Sequence, residues 1–267
     1  VCVCMPGVPF ETIEMFESAV FPRLRQKFEN HMSVTHLTLV IAGLSESALA
    51  THLADFEASL PPELHLAYLP QPGIIRLRLD GHSSDSSHLG DIVKEYGDRL
   101  RKLTSRWMIS DSDLTPAQIL IDHLRAHNLK VSTAESCTGG NIAHQITLVP
   151  GASKVMSGGI VAYSNEVKIE VLGVDKILID RDGAVSIGVV EAMAVGVCRA
   201  TDSHMGIATS GIAGPGGGTP QKPVGTVCVA VALNGKIKST TLHLSGSRER
   251  IIDRATSEAL LLAISLI

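Results

Sequence analysis

Apolar residues recur along the chain at two spacings, and each spacing predicts a different element. From Phe10 to His31 the positions Ile13, Phe16, Val20 and Leu24 return every three to four residues, which is the helical period. The turn Pro6-Gly7-Val8-Pro9 feeds that helix, and Val1–Met5 before it reads as a strand. Leu37–Ile41 and Leu64–Leu69 read as strands, with a helix starting at Ser45–Ala50 between them. Ile74–Leu79 alternates basic with apolar residues, as a half-buried strand does. Asp80–Ser87 is polar and predicts a loop, and Leu89–Leu103 predicts a helix. Residues 34–108 thus form a small α+β unit, with Ile109–Asp113 as a linker.

Beyond the linker, strands and helices alternate. Pro116 opens a helix that runs to about Asn128. Strand Lys130–Ala134 precedes a helix from Gly140, and strand Gly159–Tyr163 precedes a helix from Asn165. Helix Gly188–Thr201 leads to strand Met205–Thr209. Val224–Leu233 and Lys236–Leu244 pair as a hairpin across Asn234-Gly235, and a helix from Arg248 to Ile267 closes the chain. The predicted fold is α/β: a three-layer α/β/α sandwich at the C-terminus behind a smaller α+β domain.

Composition narrows the function. Aromatics are 3% of residues and the formal charge is -4, so neither a base-stacking platform nor a polyanion-binding surface is expected. A small zwitterionic substrate suits that balance, and nucleic acid is not an expected partner. The longest apolar runs match a strand or a helix face, so no membrane is expected either. Five scattered cysteines make no disulfide framework, which points to a reducing cytoplasm. The chain starts at Val1 without an initiator Met, and reads as a piece of something longer.

Three polar segments sit among the apolar runs. Glu135-Ser136-Cys137-Thr138-Gly139-Gly140 joins a strand to a helix, where free N–H groups favour an anion, or where Ser136 or Thr138 simply caps the helix. Ser210 ends a strand and is followed by the glycine-rich stretch Gly211–Gly218, whose N–H groups can approach a ligand, or which is a long turn. Lys168 lies early in a helix beside an apolar strand. A serine such as Ser153 needs a base of that kind, with a lowered pKa, to become a nucleophile; the plain alternative is a turn serine and a surface lysine. Arg248 and Arg250 begin the last helix, either solvated or pairing with phosphate. His123 and His127 stand four apart, but Leu124 occupies the place of a metalloprotease glutamate, so no metal is expected. Cys137 reads as a packed thiol.

These segments, with Pro150–Ser153, Ala162–Lys168, Gly183–Ser186 and Lys222–Val227, resemble in order and spacing the CinA C-terminal domain, a family that includes nicotinamide-nucleotide amidases. The resemblance covers residues 113–267. Residues 34–108 resemble the family's KH-like middle domain, and 1–33 the tail of its molybdopterin-binding-like domain. It implies hydrolysis of the carboxamide of nicotinamide mononucleotide in a homodimer, without cofactor. Ser153 would be the nucleophile and Lys168 its base, with Tyr163 and Ser210 lining the reacting centre. Arg248 would hold a substrate anion, alongside the substrate-binding positions Glu135, Ser136, Thr138, Gly139, Gly140, Asn165, Gly211, Gly214 and Arg250. Ala152, Ala162, Ser210, Ser247 and Ile252 depart from the family's usual residues. Two other readings stay open: a nucleotide-binding module without catalysis, and a main activity such as ADP-ribose pyrophosphatase in a domain this chain lacks.

Overall fold

The computed structural model describes residues 1–28 and 33–267. The N-terminal helix runs as α1 (Pro9–Met15), one π-helical turn over Phe16–Val20, and α2 (Phe21–Lys27). The wide turn stands just before Pro22, which has no N–H to continue the ordinary helical ladder. Val1–Met5, expected as a strand, makes no ladder, and the predicted helix residues beyond Phe28 lie outside the described ones.

Four antiparallel strands then form one sheet in the order β2-β3-β1-β4: β1 (Ser33–Ala42), β2 (Leu64–Gln71), β3 (Ile74–Ser83) and β4 (Met108–Ser110). α3 (Glu46–Ala58) and α4 (Ser86–Thr104) supply Leu49, Leu53, Leu89 and Leu100 to its core. The predicted Asp80–Ser87 loop is a correction. Asp80 pairs with His36 inside the β1–β3 ladder, and Arg78 neutralises its carboxylate, so the strand continues to Ser83. The linker is corrected too, since Val40 pairs with Ser110 and draws its first residues into the sheet.

The C-terminal sheet has the order β6-β5-β7-β8-β9. β5 (Val131–Glu135), β6 (Met156–Val161) and β7 (Met205–Gly211) run parallel, while β8 (Thr226–Leu233) and β9 (Lys236–His243) form the antiparallel hairpin. On one face α5 (Pro116–Ala126), α6 (Asn141–Thr147) and α10 (Arg248–Ile264) pack on Val131, Ile207, Val227, Val229 and Val231. On the other, α9 (Ile187–Thr201) packs on Ala208, Cys228, Ala230 and Ala232. β8 thus serves both cores through its two-residue period, with larger side chains towards α10 and smaller ones towards α9. Gly206 takes this to its limit: any β-carbon there would fall on the Ala194 carbonyl of α9. The three layers are those the alternation predicts.

The short α7 (Asn165–Glu170) and α8 (Lys176–Asp182) complete the second face. The chain leaves β5 over the α6 face and leaves β6 over the α9 face, and β6 and β7 flank β5 on opposite sides. The connections therefore diverge above the carboxyl ends of these strands, the place where open α/β sheets leave a crevice.

Candidate active site

That crevice is occupied by a cleft of about 290 Å³ lined by residues from all three strand ends. Ser136 and Cys137 follow β5; Tyr163, Asn165 and Lys168 follow β6; Ser210 and Gly211 end β7, and Ile212 to Gly214, with Gly216 and Gly217, follow it. Ala184, Val185 and Arg248 close the remaining sides.

Lys168 is the centre of this arrangement. It is 1% exposed, the largest side chain among the fully buried ones. Its Nζ donates to the carbonyls of Ala162 at 2.8 Å, Tyr163 at 3.3 Å and Ser164 at 3.4 Å, and Ser136 Oγ lies 3.4 Å away. Burial pulls its pKa below the ordinary lysine value, with Cys137 and Glu166 opposing more weakly. The carbonyls also favour the ammonium. A neutral amine, however, can donate to two of them and turn its lone pair to the Ser136 hydroxyl. Lys168, expected early in its helix, falls in the last turn of the six-residue α7, so the positive end of the helix dipole does not lower its pKa.

Ser153, read as the nucleophile, stands elsewhere. It lies in a 3-10 turn (Ala152–Lys154) just ahead of Val155, whose carbonyl accepts from the N–H of Val131 at the start of β5. Lys168 approaches Ser136, which follows the last residue of that strand. Strand β6 separates Ser153 from Lys168, and its six residues span roughly 20 Å. The two residues thus occupy opposite ends of the sheet, and the hydroxyl beside the lysine is that of Ser136.

The Glu135–Gly140 segment needs a second correction. Glu135 is 0% exposed, and its carboxylate already fills the amino end of α6. Oε2 accepts from the N–H groups of Gly140 and Ile142 at 3.0 Å each and from Thr138 Oγ1 at 2.7 Å; Oε1 accepts from the N–H of Ala143 at 2.8 Å. The amides at the amino end of α6 are thus taken, whereas among the described residues the N–H groups of Cys137 and Thr138 have no backbone acceptor. Glu135, Thr138, Gly139 and Gly140 lie outside the cleft lining, and only Ser136 and Cys137 of this segment enter it. The turn closes through Gly139 and Gly140 at φ 62° and 98°, values that favour residues without a β-carbon.

Arg248 binds two segments of the rim. Its guanidinium donates to the Gly214 carbonyl at 2.6 Å and to the Tyr163 hydroxyl at 3.1 Å. Ser247 caps α10 by accepting from the N–H of Arg250. Arg250 itself borders a different depression, with Pro72, His243 and Asp253, because two helical steps turn it away from Arg248. Ser210 Oγ donates to the Ala184 carbonyl at 2.7 Å and so ties down the loop after α8. Among the described residues, the N–H groups of Ala213, Gly214, Gly216 and Gly217 have no backbone acceptor, which leaves them free to bind an anion. Cys137 is buried, which pushes its thiol up to about 12 and disfavours the thiolate.

The profile of the CinA C-terminal domain matches residues 113–267. The chain belongs to the CinA family. A CinA-like protein of Cytophaga hutchinsonii is 37% identical over 98% of this chain and 62% of its own length. One from Salinibacter ruber is 42% identical over 86% of this chain and 55% of its own. The chain therefore spans less than two thirds of the length of these CinA relatives. Among solved structures, the competence/damage inducible protein CihA from Agrobacterium tumefaciens superposes with a TM-score of 0.55 and 38% identity, covering 57% of this chain and 93% of that one. A CinA superfamily protein from Escherichia coli gives a TM-score of 0.55 and 32% identity, over 57% and 88% respectively. Among the described residues, no helix is long and apolar enough to cross a membrane.

Ala184 and Val185 are cleft residues that motif reading did not single out for chemistry. The signal for Ser136 was present, however. A serine on a strand-to-helix turn, at the carboxyl edge of a parallel strand and ahead of two glycines, sits where such sheets bind ligands.

Proposed function

We propose that residues 113–267 form a serine amidase in which Ser136 is the nucleophile and Lys168 the general base, acting on the carboxamide of nicotinamide mononucleotide. The observation that carries this reading is the buried Lys168 Nζ at 3.4 Å from a hydroxyl that opens into the cleft. Neutral Lys168 takes the proton of Ser136 as Oγ adds to the amide carbon. The free N–H groups of the glycine-rich loop donate to the carbonyl oxygen as it takes on negative charge. Collapse of the adduct breaks the C–N bond, and the Lys168 ammonium protonates the departing nitrogen, which leaves as ammonia. Water then attacks the acyl ester with Lys168 again as base, releasing the carboxylate and restoring Ser136.

Arg248 holds the substrate phosphate, and Tyr163 offers a ring beside the pyridine. The substrate and the homodimer are proposed on the family resemblance; the serine–lysine pair rests on the cleft geometry. The test is ammonia release from nicotinamide mononucleotide by this chain, with Ser136→Ala and Ser153→Ala in parallel. We expect Ser136→Ala to lose about 10³-fold or more in kcat and Ser153→Ala to stay near wild type. Loss on Ser153→Ala with retention on Ser136→Ala would overturn the assignment. A second reading, a binding module without catalysis, draws on the three carbonyls around Lys168, which would suit a permanent ammonium. It predicts nucleotide binding without turnover.

A further inference from the structure

Glu135 is a buried acid beside the proposed nucleophile, and the chemistry above does not use it. Its two oxygens take four hydrogen bonds: from the backbone N–H groups of Gly140, which caps α6, and of Ile142 and Ala143 in its first turn, and from the Thr138 hydroxyl. Thr138 Oγ1 lies 2.7 Å from Thr209 Oγ1 on β7, and the backbone of Thr209 accepts from the N–H of Ser136 at 3.0 Å. Thr209 and Thr138 are both buried. The turn Ser136–Gly140 is thus gripped twice from beneath, by the side chain of the residue before it and by the neighbouring strand.

Within the turn itself, the N–H of Gly139 donates to the Ser136 carbonyl at 3.1 Å and that of Asn141 to the Thr138 carbonyl at 3.0 Å. Cys137 contributes only packing, and glycines at two of its five positions make the unfolded turn permissive. A carboxylate on the first amides of a helix is also favourably placed in the helix field. Because these bonds are buried, leaving any donor unsatisfied costs more than losing an exposed contact. Small displacements of a reacting group weigh heavily on rate.

From this network we infer that Glu135, acting through Thr138 and Thr209, is a positioning residue that holds the Ser136 hydroxyl at the Lys168 amine. It does not bind substrate. Since it fills the amino end of α6, that helix end does not hold the substrate anion. The kinetic half of this inference rests on the serine–lysine reading; the clamp itself does not.

The experiment pairs Glu135→Gln with Thr138→Val, which removes the link to Thr209 at nearly constant volume. Both are checked for folding by circular dichroism and a cooperative melt. Amide hydrogen exchange over residues 136–143 reports the clamp, and kcat and KM for nicotinamide mononucleotide report its use. We expect exchange at Gly140, Ile142 and Ala143 to rise about tenfold or more, a local opening that leaves β8 unchanged. We expect kcat to fall about tenfold with KM within about twofold and the pH profile unmoved. Unchanged exchange in either folded variant overturns the clamp, and loosened exchange with unchanged kcat overturns its positioning role. If Glu135→Gln does not fold, Thr138→Val alone decides. If wild-type protein gives no ammonia, the amidase reading has failed, and exchange still decides the clamp.

Discussion

Arg248 and Tyr163 meet at 3.1 Å although 85 residues separate them, and the same guanidinium holds the Gly214 carbonyl. One side chain therefore links the loops after β6 and β7 at the mouth of the cleft. Tyr163 is 61% exposed, so its ring is available to a substrate while its hydroxyl is anchored.

Replacing Arg248 by Gln is expected to raise KM for a phosphate-bearing amide about 10- to 100-fold, the loss of a charge-assisted contact worth about 1.5–3 kcal/mol. An analogue lacking the phosphate should feel the substitution much less. Steady-state kinetics on the two substrates separate anion binding from a general loosening of the rim. Tyr163→Phe, which keeps the ring, should cost only a few-fold.

The rate should rise with pH. Lys168 must be neutral to act as a base, and burial lowers its pKa from the ordinary 10.5. We expect kcat/KM to climb about tenfold per pH unit below the lowered value and to level above it. The bend should lie below 10.5. Lys168→Met should abolish the profile together with the activity. Stability carries the same sign. Between the lowered folded value and 10.5 the unfolded chain binds the extra proton, so wild-type stability rises with pH across that window. Denaturant unfolding of wild type against Lys168→Met isolates this contribution.

Ser210 Oγ donates to the Ala184 carbonyl from a buried position. Ser210→Ala should destabilise the fold by about 1 kcal/mol, because the carbonyl it serves loses its partner. Ser210→Thr keeps the hydroxyl and should recover most of that loss. Chemical denaturation of the three proteins checks the order.

Gly206→Ala tests the contact between β7 and α9. The added methyl would meet the Ala194 carbonyl, with the Cys198 thiol and Val197 on its other sides. The backbone must shift to admit it, at a cost of about 3 kcal/mol or more. A melting temperature within a degree of wild type would show that the helix yields easily there.

The C-terminal layers were legible because alternation of strand and helix follows from where apolar residues fall. The Asn234-Gly235 turn, the Ser45 and Thr115 caps and the paired faces of β8 all express local chemistry. The failures were longer in range. Asp80 looked like a loop residue because its partners Arg78 and His36 could not be known to flank it in a sheet. Ser153 was paired with Lys168 by the family resemblance, since spacing alone does not bring the two together. A parallel strand, however, separates the residues at its two ends by the full height of the sheet. Glu135 looked like part of an anion site, when it is itself the anion that the helix receives.

Cys137 sits one residue from the proposed nucleophile, yet burial holds its thiol protonated up to about 12. Peroxide attacks thiolates, whereas an alcohol climbs no such ladder. The thiol bordering the cleft is therefore held protonated, and on the proposed reading the chemistry rests on a hydroxyl that oxidants leave alone. On that reading, brief treatment with hydrogen peroxide or iodoacetamide should leave turnover unaltered.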